Sequence, residues 1–228
     1  MPFLNELLFI SQAMIIAFFA LGSLFFGRIG PTTLVVISAL LSNILIRKQV
    51  MLFGLEVVAC DALIIGSDLA IHLIYEYYGK KEAEKTIWLY LYMSLFFIVI
   101  STAFLAYIPS LHDTAQADYC AVLQPMPWIM AVSCLVGLAT KGINLSLYHL
   151  FSIWWKHERF ITKTLLALLV SQLFDTIAFT YIALSGNVFS TFNIIIFSYS
   201  IKCIAIVCAV PFITVCRSFL PFKTYKDS

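Results

Sequence analysis

The chain of 228 residues is 62% hydrophobic and only 11% charged, and its mean hydropathy is +0.97. Soluble domains carry roughly a quarter charged residues, so this composition excludes an ordinary water-soluble globule and predicts an all-α, polytopic membrane protein. The net charge of +2 gives no reason to expect a nucleic-acid partner. No segment is long and polar enough for a domain outside the bilayer, so we expect one transmembrane domain over residues 1–228.

Apolar runs separated by Gly, Pro and charged residues predict about seven spans, a six-helix core with an additional N-terminal helix. A crossing needs about 20 residues, and the predicted spans are 7–27, 32–46, 62–78, 86–108, 126–154, 165–184 and 191–216. Residues 50–78 are too long for one straight crossing. We therefore expect a loop or re-entrant segment over 49–61, with Asp61 capping the third helix. Residues 80–85 and 110–125 are predicted loops.

Positive charges predict the orientation. Of the 14 Lys and Arg residues, two lie inside spans, ten lie on the side of the C-terminus, and Arg47 and Lys48 lie on the other side. Because Lys and Arg concentrate in cytoplasmic loops, we expect a cytoplasmic C-terminus and an external N-terminus. Residues 7–27 follow no basic n-region, so we expect a retained helix rather than a cleaved signal.

Several kinds of reactive site are absent from the sequence. The six cysteines form no CxxC pair and no Cys/His cluster, so neither a disulfide framework nor a metal site is predicted. There is also no P-loop, HExxH or GxSxG motif. We therefore expect no cofactor, no metal and no enzymatic activity.

The sixth span, LLALLVSQLFDTIAFTYIAL, carries Gln172 and Asp175 near its middle, one helical turn apart. A carboxylate at bilayer depth costs about 3 kcal/mol or more, so it normally faces a bundle interior or a water-filled cavity. Either a structural pair with a neighbouring helix or a substrate or ion site would satisfy this requirement.

The fifth span repeats the same form, polar-x-x-polar-x-x-x-aromatic, 31 positions upstream. The matched residues are Lys141 with Gln172, Asn144 with Asp175, and Tyr148 with Phe179. Two matched polar helices that face one cavity are typical of a transporter or channel centre.

Two further spans carry ionisable groups at depth. The third span has Asp68, His72 and Glu76 on one stripe, although Glu76 is near enough to Gly79 to reach the membrane boundary. Lys202 lies too deep in the last span to reach water easily, so we expect Asp175 or Asp68 as its charge partner.

The chain contains four motifs in the following order: SALLSNILIRKQVMLFGL, YEYYGKKEAEKTIW, VSQLFDTIAFTYIA, and YSIK followed by PF. In these motifs the chain resembles the bacterial queuosine precursor transporters, which belong to the vitamin uptake transporters. The resemblance implies an inner-membrane importer of 7-deazaguanine compounds (preQ0, preQ1 or queuine) for tRNA modification. It also implies that no dedicated ATPase subunit takes part.

Position by position, the resemblance covers most of the polar residues at membrane depth. The positions that fit the family pattern are Asn43, Gly79, Gln172, Asp175, Phe179, Tyr199 and Lys202. Four positions depart from it: His72 and Asn144 each replace a usual Asp, Trp128 a usual Arg, and Lys141 a usual Gln.

The chemistry of a 7-deazaguanine suits these side chains. Its adjacent N1–H and exocyclic amine can both donate to one carboxylate, its carbonyl needs a donor such as Gln172 or Lys141, and its faces need aromatic neighbours. The predicted substrate-binding residues are Asp68, His72, Glu76, Trp128, Lys141, Asn144, Tyr148, Gln172, Asp175, Phe179 and Lys202. An ammonium at Lys141 and the loss of a carboxylate at Asn144 would disfavour the cationic precursor preQ1.

Three classes of function remain open. The first is a stand-alone, gradient-driven importer embedded in the lipid bilayer. The second is a substrate-binding subunit of an energy-coupling-factor transporter, for which Ala13-x-x-x-Ala17 could serve as a docking motif. The third is a structural membrane protein, which the ionisable groups at depth disfavour. A homo-oligomer is compatible with each.

Overall fold

The computed structural model describes residues 3–46, 48–58, 60–123, 126–155, 160–184 and 191–217. Within these residues the chain forms seven long α-helices, one short α-helix, a three-residue 3-10 helix at Leu24–Phe26 and a β-hairpin. The long helices are α1 (Leu4–Ser23), α2 (Ile29–Leu45), α3 (Asp61–Tyr78), α4 (Lys80–Leu105), α6 (Met126–Trp154), α7 (Phe160–Leu184) and α8 (Thr191–Arg217). The short helix is α5 (Gln116–Leu123), and the hairpin strands are β1 (Gln49–Leu52) and β2 (Leu55–Val58).

Helix α3 is the centre of the bundle. It packs against α1, α2, α4, α6, α7 and α8, and 14 of its 18 residues are buried. A side chain at Gly66 would overlap Ile16, so the absence of a Cβ atom there lets α1 approach α3 closely. Because six helices separate α3 from the surroundings, α3 can carry more polar residues than a lipid-facing helix could.

The outer faces of the bundle are apolar. Trp88, Tyr92 and Val99 of α4, for example, are each about two-thirds exposed. Among the described residues, five helical segments have the length and apolarity of a bilayer crossing, and α2 is a shorter apolar helix. The predicted polytopic helix bundle is thereby confirmed, and α1 packs against α2, α3 and α8 as an integral part of it.

Part of the segment predicted as a loop or re-entrant stretch, residues 49–61, has regular structure. Residues 49–58 form an antiparallel hairpin that pairs Gln49 with Val58 and turns at Phe53 and Gly54, both with positive φ, and α3 already begins at Asp61. Asp61 is not the N-cap of α3, because Cys60 holds that position and no side chain caps the helix.

Several helix boundaries also differ from the prediction. Helix α4 begins at Lys80, directly after Gly79 with its φ of 86°, so the charged cluster of residues 80–85 is helical. Ion pairs such as Lys80–Glu84, one turn apart, suit a helix end that leaves the membrane. Helix α7 begins five residues earlier than predicted, at Phe160, and α5 lies inside the predicted loop 110–125.

The predicted topology rests partly on residues that the structure does not describe. Outside the described residues lie Arg47, the basic positions Lys156 and Arg159, the turn at Gly186 and Asn187, and Lys223 and Lys226 of the tail. The orientation therefore stays a prediction.

Candidate functional site

A cavity of about 990 Å³ lies in the bundle beside α3. Helices α2, α3, α4, α6, α7 and α8 and the hairpin all contribute to its wall. We call it the central cavity. Its charged lining residues are Asp61, Asp68, Lys141, Asp175 and Lys202.

The first buried ion pair joins α6 to α3. The Lys141 Nζ atom lies 2.6 Å from Asp68 Oδ1 and donates to Ser67 Oγ at 2.9 Å. The second oxygen of Asp68 accepts a hydrogen bond from Gln172 Nε2 at 2.7 Å. The ammonium of Lys141 also lies 5.2 Å from the centre of the Tyr90 ring, within the range of a cation–π contact. Asp68 is therefore engaged on both oxygens, and its charge is balanced by Lys141.

The second ion pair joins α8 to α7. Lys202 Nζ lies 2.6 Å from Asp175 Oδ2, and Thr140 Oγ1 donates to Asp175 Oδ1 at 3.1 Å. The prediction that Lys202 has a carboxylate partner is confirmed, with Asp175 as that partner. Helix α6 makes hydrogen bonds to α3 and α7, and α7 makes them to α3 and α8. These contacts connect the two ion pairs within one wall of the cavity.

Four of the predicted residues form a separate group, which we call the rear network: His72, Glu76, Asn144 and Tyr148. His72 Nε2 lies 3.1 Å from Asn144 Oδ1, the His72 ring stacks on Tyr148 with centroids 4.2 Å apart, and Tyr148 donates to Glu76 Oε1 at 2.6 Å. His72, Asn144 and Tyr148 are fully buried, and no member of the rear network lines the central cavity.

The predicted residues thus divide between two places. Six of them line the central cavity: Asp68, Trp128, Lys141, Asp175, Phe179 and Lys202. Gln172 is fully buried and does not line the cavity itself, but its side chain binds Asp68, which does. The matched patterns of α6 and α7 meet on α3, because Lys141 and Gln172 both bind Asp68, whereas Asn144 binds His72 away from Asp175.

The aromatic residues divide in the same way. Trp128 and Phe179 line the central cavity, together with Phe197, which sequence reasoning did not identify. Trp128 is 63% exposed, so a base stacked on it would remain partly uncovered by protein. Tyr148 does not reach the cavity because it packs on His72 in the rear network.

Asp61 is the main residue that sequence reasoning missed. It lines the central cavity, it is 6% exposed, and its carboxylate has no hydrogen bond or ion pair among the described residues. Its position seven residues before Asp68 contained the signal, since residues i and i+7 share one face of a helix. The interpretation of Asp61 as a helix cap hid that signal.

The prediction that Lys141 and Asn144 disfavour preQ1 stays a prediction, but the contacts of both residues weaken the electrostatic reason for it. The ammonium of Lys141 is compensated by Asp68 at 2.6 Å, and Asn144 does not line the central cavity. Among the described lining residues, three carboxylates face two ammonium groups, so the cavity carries one formal negative charge in excess. This balance gives no reason for the cavity to reject a cationic ligand.

Comparisons with known proteins agree with the resemblance seen in the motifs. The sequence profile of the family described as "Putative vitamin uptake transporter" matches residues 63–216. A protein of Bacillus subtilis (strain 168) named "Probable queuosine precursor transporter" is 24% identical over 199 residues, which cover 86% of this chain and 87% of the relative. No solved structure matches this chain.

Proposed function

The chain belongs to the vitamin uptake transporter family, and from this premise we propose that it is a stand-alone importer of a queuosine precursor. Its substrate is a 7-deazaguanine such as preQ0, preQ1 or queuine, taken up across the bacterial inner membrane for tRNA modification. The observation that carries this proposal is the central cavity, in which two buried ion pairs lie inside a bundle of membrane helices.

The size and lining of the central cavity support a small heterocyclic substrate. Cavities that bind small molecules have volumes of roughly 300–1,000 Å³, and this one measures about 990 Å³. Its wall combines carboxylates and ammonium groups for the polar edge of a base with Trp128 and Phe179 for its faces. Ionisable groups at membrane depth are costly, and they are retained where they serve a substrate or ion pathway.

The name of the Bacillus subtilis relative supports the substrate class. Transport by the chain alone is supported by the position of the small-residue motif in α1. Ala13 and Ala17 are 3% and 1% exposed and pack in the core with residues of α3 and α8, so they are not presented for docking an ATPase module. The Ala13-x-x-x-Ala17 motif therefore does not support the alternative role, a substrate-binding subunit of an energy-coupling-factor transporter. A proton or ion gradient then drives accumulation.

The orientation follows from the positive-inside rule, with a cytoplasmic C-terminus. Along α3, the sequence order is then Asp61 and Asp68 toward the outside and His72 and Glu76 toward the cytoplasm. The hairpin residues Gln49 and Val57 line the outer end of the central cavity. In this orientation we propose that the central cavity serves the outer side of the membrane and that the rear network separates it from the cytoplasm.

The orientation can be tested by cysteine labelling in a background without the six native cysteines. Asp113→Cys is expected to react with an impermeant reagent from outside, and Arg159→Cys only after permeabilisation. The reverse pattern would place the hairpin end of the cavity toward the cytoplasm. The chain would then be an exporter, or an importer in its inward-facing state.

The function is tested by uptake of labelled preQ0, preQ1 and queuine in cells that express this chain, lack their own precursor importer, and have their shared ATPase modules deleted. Accumulation that persists without these modules is expected. If accumulation requires an ATPase module, the chain is a subunit of a larger transporter. If no precursor accumulates in either strain, the substrate class is wrong.

A further inference from the structure

Asp61 stands out in the central cavity because no described donor lies within hydrogen-bonding distance of its carboxylate, although Lys202, the ion-pair partner of Asp175, also acts on it electrostatically. The other two carboxylates of the cavity are fully engaged: Asp68 binds Lys141 and Gln172, and Asp175 binds Lys202 and Thr140. In each of these two residues, each oxygen already accepts a hydrogen bond. Among the described residues, no donor binds either oxygen of Asp61.

Burying a carboxylate without donors is unfavourable, and a ligand that supplies the donors removes that cost. Asp61 is 6% exposed and lines the cavity beside the hairpin residues Val57 and Val58. A ligand that enters the cavity can therefore reach Asp61 without displacing either ion pair. A ligand that uses Asp68 or Asp175 must compete with an ammonium group that lies 2.6 Å away.

The two oxygens of one carboxylate match two parallel N–H donors on adjacent atoms of a planar ligand. The N1–H and the exocyclic amine of a 7-deazaguanine form such an edge. We propose that Asp61 is the substrate-binding residue that accepts these two hydrogen bonds, and this inference rests on the proposed function. Trp128 and Phe179 then flank the base, and the two ion pairs hold the shape of the wall around it.

The geometry gives the ion pairs a different role from the one that the sequence suggested. Asp175 and Asp68 fix the positions of α7, α8, α6 and α3 around the cavity, whereas Asp61 selects the ligand. Asp61 lies two residues before the part of the chain that the family profile matches, so the match itself assigns it no role.

The test compares two ligands that differ only in the amine, 7-deazaguanine and 7-deazahypoxanthine. Their affinities for the purified, detergent-solubilised chain are measured by calorimetry. The wild type is expected to bind 7-deazaguanine at least tenfold more tightly than 7-deazahypoxanthine. Asp61→Asn is expected to lose roughly 10- to 100-fold in affinity for 7-deazaguanine and to bind both ligands about equally.

Two further variants separate recognition from structure. Asp61→Glu keeps the carboxylate and is expected to retain a preference for 7-deazaguanine. Asp118→Asn makes the same chemical change on the exposed surface of α5 and is expected to bind as the wild type does. If Asp61→Asn is not obtained as a folded protein, Asp61→Ser provides the same comparison.

The outcomes distinguish this inference from the proposed function. If the wild type binds neither ligand, the proposed function fails, and the role of Asp61 fails with it. If the wild type prefers 7-deazaguanine and Asp61→Asn (or Asp61→Ser) keeps that preference, only the role of Asp61 is wrong. A loss of preference in Asp175→Asn but not in Asp61→Asn would assign the edge of the base to Asp175.

Discussion

The central cavity and the rear network use polar residues in opposite ways. The central cavity holds two ion pairs and Asp61, whose carboxylate accepts no hydrogen bond from the described residues, around open volume. The rear network consists of a stacked pair of rings, His72 on Tyr148, and hydrogen bonds of 3.1 Å to Asn144 and 2.6 Å to Glu76. Both regions lie along α3, with the cavity against the first half of the helix and the rear network against the second half.

This difference indicates how one helix can serve two tasks. Charges around open volume attract and orient a ligand. Closely packed rings, by contrast, exclude both water and ligand. We infer that ligand affinity depends on the central cavity, and that passage of the ligand through the protein depends on opening the rear network. The buried atoms His72 Nδ1 and Asn144 Nδ2 have no hydrogen-bond partner in the described structure, which leaves the rear network with donors or acceptors that a rearranged state could satisfy.

The largest effect is expected from Asp175→Ala, which leaves Lys202 buried without a counter-charge. Removing one partner of a buried ion pair costs about 3–5 kcal/mol, so both uptake and thermal stability should fall sharply. The measurements are labelled-precursor uptake, the amount of protein in the membrane fraction, and the melting temperature of the purified chain.

The double variant Asp175→Ala/Lys202→Ala separates the two losses. It removes both charges, so we expect most of the stability to return while uptake stays absent. Asp118→Ala on the exposed face of α5 is the control for the loss of a carboxylate. Normal uptake by Asp175→Ala would show that the cavity does not need this ion pair.

An intermediate effect is expected from Tyr148→Phe in the rear network. This variant removes the hydroxyl that donates to Glu76 but keeps the ring that stacks on His72. The lost hydrogen bond to a carboxylate should lower the free energy of unfolding by about 1.5–3 kcal/mol. Because Tyr148 does not line the cavity, the Kd of the precursor should stay within about twofold of the wild-type value. The uptake rate should change, because passage is proposed to depend on the rear network. A large loss of affinity would contradict the division between the two regions.

The smallest effect is expected from Trp128→Ala at the wall of the central cavity. Stacking on an aromatic side chain contributes about 1–3 kcal/mol per base. Trp128 is 63% exposed, so the lower end of that range applies, and the Kd should rise roughly fivefold. Calorimetry with 7-deazaguanine checks this value. The control is Trp88→Ala, on the exposed face of α4. An unchanged Kd would place the base against Phe179 and Phe197 instead.

Local sequence signals predicted much of the fold. The bounds of α6, residues 126–154, were predicted from its apolar run, and Asp68, Lys141, Asp175 and Lys202 were identified because ionisable groups are rare at membrane depth. The start of α4 was missed because the charges of residues 80–85 resemble a loop, although pairs such as Lys80–Glu84 stabilise a helix end equally well.

The division of the site into two regions could not be predicted in this way. It depends on which residues of α6 and α7 meet which turn of α3, and those contacts join positions more than 70 residues apart. Two of the departures from the family pattern, His72 and Asn144, contact each other, and a third, Lys141, pairs with Asp68. A single sequence does not reveal that departures at distant positions contact each other, because it does not show which positions meet in the fold.

Uptake of a labelled 7-deazaguanine precursor into proteoliposomes that contain only the purified chain tests the central claim most directly. We predict accumulation without ATP when an ion gradient is imposed, and none for the double variant Asp175→Ala/Lys202→Ala recovered as folded protein. Failure of the folded wild-type chain to accumulate any precursor under any imposed gradient, or equal accumulation by the double variant, would contradict the account.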